Sequence, residues 1–128
     1  MQMTPDKKKN KLYIVVPCYN EEQVLGETSK RLKIKCENLI QKGQISKDSK
    51  IVFVDDGSKD RTWKMISELH ETDSLFSGVK LSRNRGHQNA LLAGLTMASE
   101  HADMAISMDA DLQDDINAVD QMIEKYYE

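Results

Sequence analysis

Leu12-Tyr13-Ile14-Val15-Val16-Pro17-Cys18-Tyr19-Asn20-Glu21-Glu22 is the stretch from which the rest of the chain can be read. Its first five residues form an unbroken apolar, largely β-branched run, the pattern of a strand buried on both faces, and Pro17 is expected to end it. A segment of helical spacing follows from about Glu21 to Lys42. It places Val24, Leu25, Thr28, Leu32, Cys36, Leu39 and Ile40 on one stripe, with acids in the first turn and Gly43 as the stop. The alternation then recurs. Ile51 to Val54 is a second strand, broken by Asp55-Asp56-Gly57-Ser58, and Trp63, Ile66, Leu69 and His70 mark a helix that Ser58 or Asp60 would cap. Val79-Lys80-Leu81 is a weaker third strand, after which Ala90, Leu91, Gly94, Leu95 and Ala98 trace the small-residue face of a helix packed close to the sheet. Ala105 to Met108 and the series Ile116, Val119, Met122, Ile123 and Tyr126 complete the pattern.

Strand–helix units in series imply an α/β fold: a Rossmann-like, mostly parallel sheet with helices on both faces, since right-handed crossovers place them there. Ligands of such sheets bind beyond the carboxyl ends of the strands, where strand order reverses. The composition agrees with one domain of this kind. The chain has 128 residues, 39% hydrophobic and 30% charged, with only 6 Gly and 2 Pro, which argues against disordered or low-complexity readings. With 18 basic and 21 acidic residues the net charge is −3, so nucleic acid is not the expected partner. The apolar runs are strand-sized, far short of the roughly 20 residues of a membrane helix. The first ten residues are basic but lack an apolar segment after them; they read as a flexible tail (1–10) ahead of a domain over 11–128, and the cytoplasm is the default compartment. Cys18 and Cys36 fit neither a metal motif nor a disulfide framework and read as free, partly buried thiols, while Met97, Met104, Met108 and Met122 read as core filler.

Each unusual polar cluster falls just after an expected strand, hence on one sheet edge. In Asp109-Ala110-Asp111, side chains two apart at a strand end project to the same side while Ala110 points away, so two carboxylates would face one small volume. Such a pair accepts Mg²⁺ or Mn²⁺ together with substrate phosphate oxygens, although an acidic turn is the plainer alternative. Gly57 permits a tight turn that would aim a carboxylate of Asp55-Asp56 at hydroxyls or a base N–H, or simply serve capping. Pro17, Tyr19 and Glu21 offer a rigid turn, an aromatic to pack on a base or sugar, and a carboxylate at a helix start. Arg83, Arg85 and His87 precede the third helix, where cations and backbone N–H groups can meet a phosphate. The scattered histidines suggest neither a zinc site nor a Ser-His-Asp triad.

Together these clusters resemble the family 2 nucleotide-sugar glycosyltransferases with the GT-A fold, closest to the polyprenyl-phosphate branch that includes dolichol-phosphate mannose synthase and bactoprenol glucosyltransferases. The resemblance covers about Lys11 to Asp114. It rests on Val15 to Glu22, Val54 to Thr62, Leu81 to Asn84 with Gly86 to Leu95, and Met108 to Asp114. It implies a sheet of order 3-2-1-4. It also implies a nucleotide pocket of Pro17, Tyr19, Glu21, Val54 and Asp56, with Asp109, Ala110 and Asp111 at the diphosphate, Asp109 and Asp111 as catalytic and metal ligands, and Arg83 and Gln113 on the phosphate or acceptor side. The implied cofactor is Mg²⁺ or Mn²⁺. The implied donor is a nucleotide sugar, a UDP-sugar ahead of GDP-mannose, and the acceptor a polyprenyl phosphate or a glycan, with inversion at the anomeric carbon. Relatives run well beyond the last motif and add transmembrane helices, so 11–128 is expected to be the donor-binding part of a longer protein at the cytoplasmic face of a membrane, with self-association left open. Two departures concern the acceptor side: Arg85 stands where relatives usually carry an aromatic, and Asp115-Ile116 replaces a common proline. The competing readings are a non-catalytic nucleotide-sugar-binding module and a phosphoacceptor signalling domain.

Overall fold

The central strand β1 (Leu12–Cys18) pairs with β2 (Lys50–Asp55) on one side and β4 (Met104–Ser107) on the other, and β3 (Phe76–Lys80) lies beyond β2. All pairs are parallel and the order is β3-β2-β1-β4, as the family resemblance implies. The computed structural model describes residues 10–112 and 116–127. Between the strands run α1 (Leu25–Gln41), α2 (Thr62–Thr72) and α3 (His87–His101), and α4 (Ala118–Tyr127) follows β4.

Alternation along the strands divides the core. Leu12, Ile14, Val16, Ile51 and Phe53 pack beneath Leu32, Leu39, Ile66 and Ile123 of α1, α2 and α4, while Val15, Val52 and Val54 face α3 alone. Helices thus cover both faces, and full burial of side chains such as Phe53 and Leu12 stabilises the fold by about 1.5–3 kcal/mol each. Lys35 of α1 pairs with Asp120 at 2.7 Å and fastens α4. Asn10, counted with the tail, donates to the Tyr127 hydroxyl at 3.2 Å.

Several boundaries differ from those read off the sequence, each for a physical reason. Pro17 lies inside β1, opposite Val54, rather than ending the strand. Val15 turns its carbonyl to the β4 side, where the Met108 amide donates to it, and Pro17 two residues on turns its nitrogen the same way. β4 has ended at Ser107, opposite Val15, so no ladder hydrogen bond is lost to the proline. Helix α1 begins at Leu25, not Glu21; the amides of Glu21 and Glu22 donate to Thr62 and Asp60, and Glu27 is the acid in its first turn. β3 starts at Phe76, ahead of the expected Val79, with Gly78 opposite Phe53. α4 buries Val119 and Ile123 but leaves Met122 and Tyr126 about half exposed, so Met122 is not core filler. Met104 and Met108 are buried as expected, and Cys18 and Cys36 are free and buried. No helix among the described residues is long and apolar enough to cross a membrane.

The close approach of α3 depends on Gly94, where an added Cβ would lie 2.4 Å from Val15 and 2.8 Å from Val54. Both are β-branched, fully buried and on neighbouring strands, so neither can yield. Gly94→Ala would gain about 1 kcal/mol of helix propensity but overpack by about 1–3 kcal/mol. The expected result is a lower urea midpoint than wild type, checked by equilibrium unfolding.

Candidate functional site

Loops at the carboxyl end of the sheet are tied to one another by side chains that accept from backbone amides. The Asn20 amide donates to Ser58 Oγ (2.8 Å) and Asn20 Oδ1 accepts from the Lys59 amide (2.8 Å). The amides of Glu21 and Glu22 donate to Thr62 Oγ1 (2.8 Å) and Asp60 Oδ2 (3.2 Å). Neither Ser58 nor Asp60 is the N-cap of α2: that position is Arg61, which makes no side-chain cap hydrogen bond, and Asp60 Oδ1 accepts from the Thr62 amide at 2.9 Å just ahead of the helix. Asp56, nearly buried, accepts with Oδ1 from the Arg85 amide (2.7 Å) and with Oδ2 from the Gly86 amide (3.1 Å), which fixes the start of α3. The Thr28 hydroxyl donates to the Ala110 carbonyl and holds the loop after β4 against α1.

These ties enclose a cleft of about 270 Å³. Pro17, Cys18, Tyr19 and Glu21 line it from the end of β1 and the loop after it, Asp56 from the loop after β2, Asn84, Gly86, His87 and Ala90 from the β3–α3 region, and Asp109, Ala110 and Asp111 from the loop after β4. It lies across the ends of β1 and β4, where the strand order reverses. Asp109-Ala110-Asp111 is not a strand end: β4 stops at Ser107, and the Leu112 amide donates back to the Asp109 carbonyl at 3.0 Å, so a turn presents these residues. Ala110 is buried by the turn and Asp111 is exposed.

Of the residues singled out from sequence, Pro17, Tyr19, Glu21, Asp56, Asp109, Ala110 and Asp111 come together here. Val54 does not line the cleft, because its side chain is fully buried under α3. Arg83 is also outside the lining, and its backbone passes so close to Gly57 that a Cβ there would lie 2.5 Å from the Arg83 carbonyl carbon. Gln113 lies outside the described residues. Asn84, Gly86 and Ala90 were not singled out as binding residues. They belong to the polar cluster after β3 and the small face of α3, so the segment carried a signal although the individual residues did not.

Partial burial, then the fields of Asp111, Asp60 and Asp109, raise the Glu21 carboxyl above its ordinary value. Carboxylates of Glu21, Asp56, Asp109 and Asp111 are thus gathered in the cleft, with His87 also in its lining. Among the described residues no group of three or more His, Cys, Asp and Glu side chains is arranged to hold a metal ion. Asp109 and Asp111 are the carboxylates that would hold an ion taking its remaining ligands from phosphate and water, as Mg²⁺ commonly does.

A doubly wound α/β sheet with a cleft at its switch point places this chain in the class of α/β domains whose ligands bind beyond the carboxyl ends of the strands. The chain belongs to glycosyl transferase family 2, whose sequence profile matches residues 13–128. It is 52% identical over 117 residues to an uncharacterised glycosyltransferase, YkoT, of Bacillus subtilis (91% of this chain, 35% of that protein). It is 35% identical over 124 residues to the undecaprenyl-phosphate 4-deoxy-4-formamido-L-arabinose transferase of an Enterobacter species (96% of this chain, 36% of that protein). The chain thus spans about a third of the length of the curated relatives it matches. Among solved structures, the mannosyltransferase PcManGT of Pyrobaculum calidifontis, in complex with GDP-Man and Mn²⁺, superposes with a TM-score of 0.61 at 23% identity, covering 85% of this chain and 30% of that one. That likeness establishes a shared GT-A fold.

The raised Glu21 carboxyl gives a signed expectation. The folded chain holds this proton to higher pH than the unfolded chain, so the penalty is absent below the ordinary value of 4.5 and grows as pH rises through the folded value. Glu21→Gln should therefore be more stable than wild type at pH 7 and equal to it near pH 3.5, by less than about 1 kcal/mol given the solvent screening of a partly exposed group. Thermal melts of both proteins at the two pH values check this.

Proposed function

We propose that this chain is the donor-binding part of an inverting glycosyltransferase that uses a nucleoside diphosphate-sugar and a divalent cation and delivers the sugar to a polyprenyl phosphate. The observation that carries the reading is the convergence of Asp109 and Asp111 with Pro17, Tyr19 and Glu21 in one cleft at the sheet's switch point. Tyr19, 41% exposed, presents a ring for the base or ribose, and Pro17 makes the wall beside it rigid. Asp109 and Asp111 would hold Mg²⁺ or Mn²⁺ at the diphosphate, and the ion would supply charge stabilisation to the departing nucleoside diphosphate. The acceptor class is carried over from the Enterobacter relative, an undecaprenyl-phosphate transferase.

A lipid phosphate is already an anionic nucleophile, so the transfer needs little general-base help. One of its phosphate oxygens forms the bond to the anomeric carbon, and the bond from that carbon to the diphosphate oxygen breaks, its electron pair leaving with the nucleoside diphosphate. Attack from the face opposite the leaving group inverts the centre.

Calorimetric titration of the chain with UDP, UDP-glucose, GDP and GDP-mannose, with and without Mn²⁺, tests the donor site. Binding of one nucleotide class that depends on Mn²⁺ is expected. Asp111→Asn should weaken that binding about tenfold, or about 1.4 kcal/mol, in a chain that still unfolds cooperatively. A folded wild-type chain that binds none of the four refutes the reading.

A further inference from the structure

We infer that Thr28 is a positioning residue: its hydroxyl, reaching out from α1, sets the turn that presents Asp109 and Asp111. The inference rests on the donor-site reading above. Thr28 is 3% exposed and lies on the core-facing stripe of α1, with Leu25 and Leu32 a turn away on either side. A hydroxyl in such a place ordinarily bonds back to its own helix. Its neighbour Ser29 does so, donating to the Gly26 carbonyl at 2.9 Å. Thr28 instead donates to the Ala110 carbonyl, 82 residues away in sequence. Ala110 is itself buried, stands between the two carboxylates and lines the cleft with them. Thr28 is not part of that lining, so any effect it has on a ligand passes through the turn.

The turn needs a hold from outside itself. Its entry is tied to β1, the Met108 amide donating to the Val15 carbonyl at 3.0 Å, and the Leu112 amide closes it on the Asp109 carbonyl at 3.0 Å. Leu112 has a φ of 51°, left-handed backbone that is uncommon outside glycine, asparagine and aspartate and persists where the surroundings over-determine it. The Leu112 side chain packs against the core, and the Thr28 bond fixes the plane of the peptide that links Ala110 to Asp111. With that plane set, the backbone between the two carboxylates loses its freedom to rotate. Without the hydroxyl, the buried Ala110 carbonyl loses its partner, and rotation of the peptide towards water relieves it. Mg²⁺ demands near-ideal ligand geometry, so such a rotation would act on ion binding first.

The test measures the affinity of the chain for UDP with Mn²⁺ and in EDTA, or for GDP if the donor titration selects guanine. Two matched pairs are compared. Thr28→Val removes the hydroxyl from the wild type at nearly constant shape, and Thr28→Ala removes it from Thr28→Ser at smaller volume. Both hydroxyl-free variants are expected to lose about tenfold in affinity with Mn²⁺, the order found when a contact that orients a metal ligand is lost, and to stay within about twofold of wild type in EDTA. Thr28→Ser, which keeps the donor, is expected to match wild type under both conditions. Undiminished Mn²⁺-dependent affinity in the hydroxyl-free variants overturns the inference and leaves the donor site standing. A parallel loss with and without Mn²⁺ does the same, since it marks a general disturbance of the cleft, and so does failure of both hydroxyl-free variants to fold. A folded wild type that binds nucleotide no better with Mn²⁺ than in EDTA, or not at all, removes the donor-site reading and this inference together.

Discussion

Backbone amides at the carboxyl edge of the sheet have no ladder or helix partner, and the chain satisfies them with side chains borrowed from the neighbouring loop. Asp56 holding Arg85 and Gly86 is the strongest of these ties, because the acceptor is charged, nearly buried and bonded through both oxygens. Hydrogen bonds to charged groups contribute about 1.5–3 kcal/mol each, whereas neutral ones contribute about half that. Asn20 with Ser58 and Lys59 and Thr62 with Glu21 extend the same device around the edge, and the Thr28 hydroxyl, donating to the Ala110 carbonyl, ties the loop after β4 to α1. No loop in this set is positioned by its own sequence alone, so the cleft is preorganised by reciprocal support between the βα turns.

That reciprocity explains what the sequence reveals and what it hides. Ile51 to Val54 is legible as a strand because composition, length and the following turn agree, and the small face of α3 is legible because Ala90, Gly94 and Ala98 fall at helical spacing. Pro17 misleads because a proline's cost in a strand depends on which neighbour its nitrogen faces, a fact that exists only once β4 is known to be short. Glu21 and Glu22 look like first-turn acids, yet the helix starts at Leu25 and their amides donate to Thr62 and Asp60, some forty residues away in sequence. The early part of β3 is hidden because Gly78 has poor strand propensity; its missing side chain makes room for Ile66 and Trp63, since a Cβ would lie 2.6 Å and 3.2 Å from them.

The candidate site divides in the same way. Residues contributed by the turns after β1 and β4 are legible, since each turn follows a strongly apolar strand and carries its polar groups at once. The β3–α3 segment is legible as a cluster but not residue by residue. Whether Arg83 or His87 faces the cleft is decided by the grip of Asp56 and by the passage of the Arg83 backbone beneath Gly57, and both are long-range contacts. Val54 was grouped with its neighbour Asp56, yet strand alternation and the overlying α3 put its side chain in the core.

Concentrating acids at this edge is tolerable because the stability of the fold comes from elsewhere, from the apolar layers on the two sheet faces. The edge itself is electrostatically unfavourable even one layer in. Asp55 is fully buried, with Oδ1 accepting from the Ser58 amide at 3.2 Å and Oδ2 without a hydrogen-bond partner among the described residues. Burial, followed by the fields of Glu21 and Asp55, pushes the Cys18 thiol far above its ordinary value, so it remains protonated beside the cleft and adds no further negative charge. A buried thiol held neutral in this way is a poor nucleophile. The proposed ligand, a nucleoside diphosphate that arrives with a divalent ion, suits a wall of carboxylates because the ion brings positive charge to it.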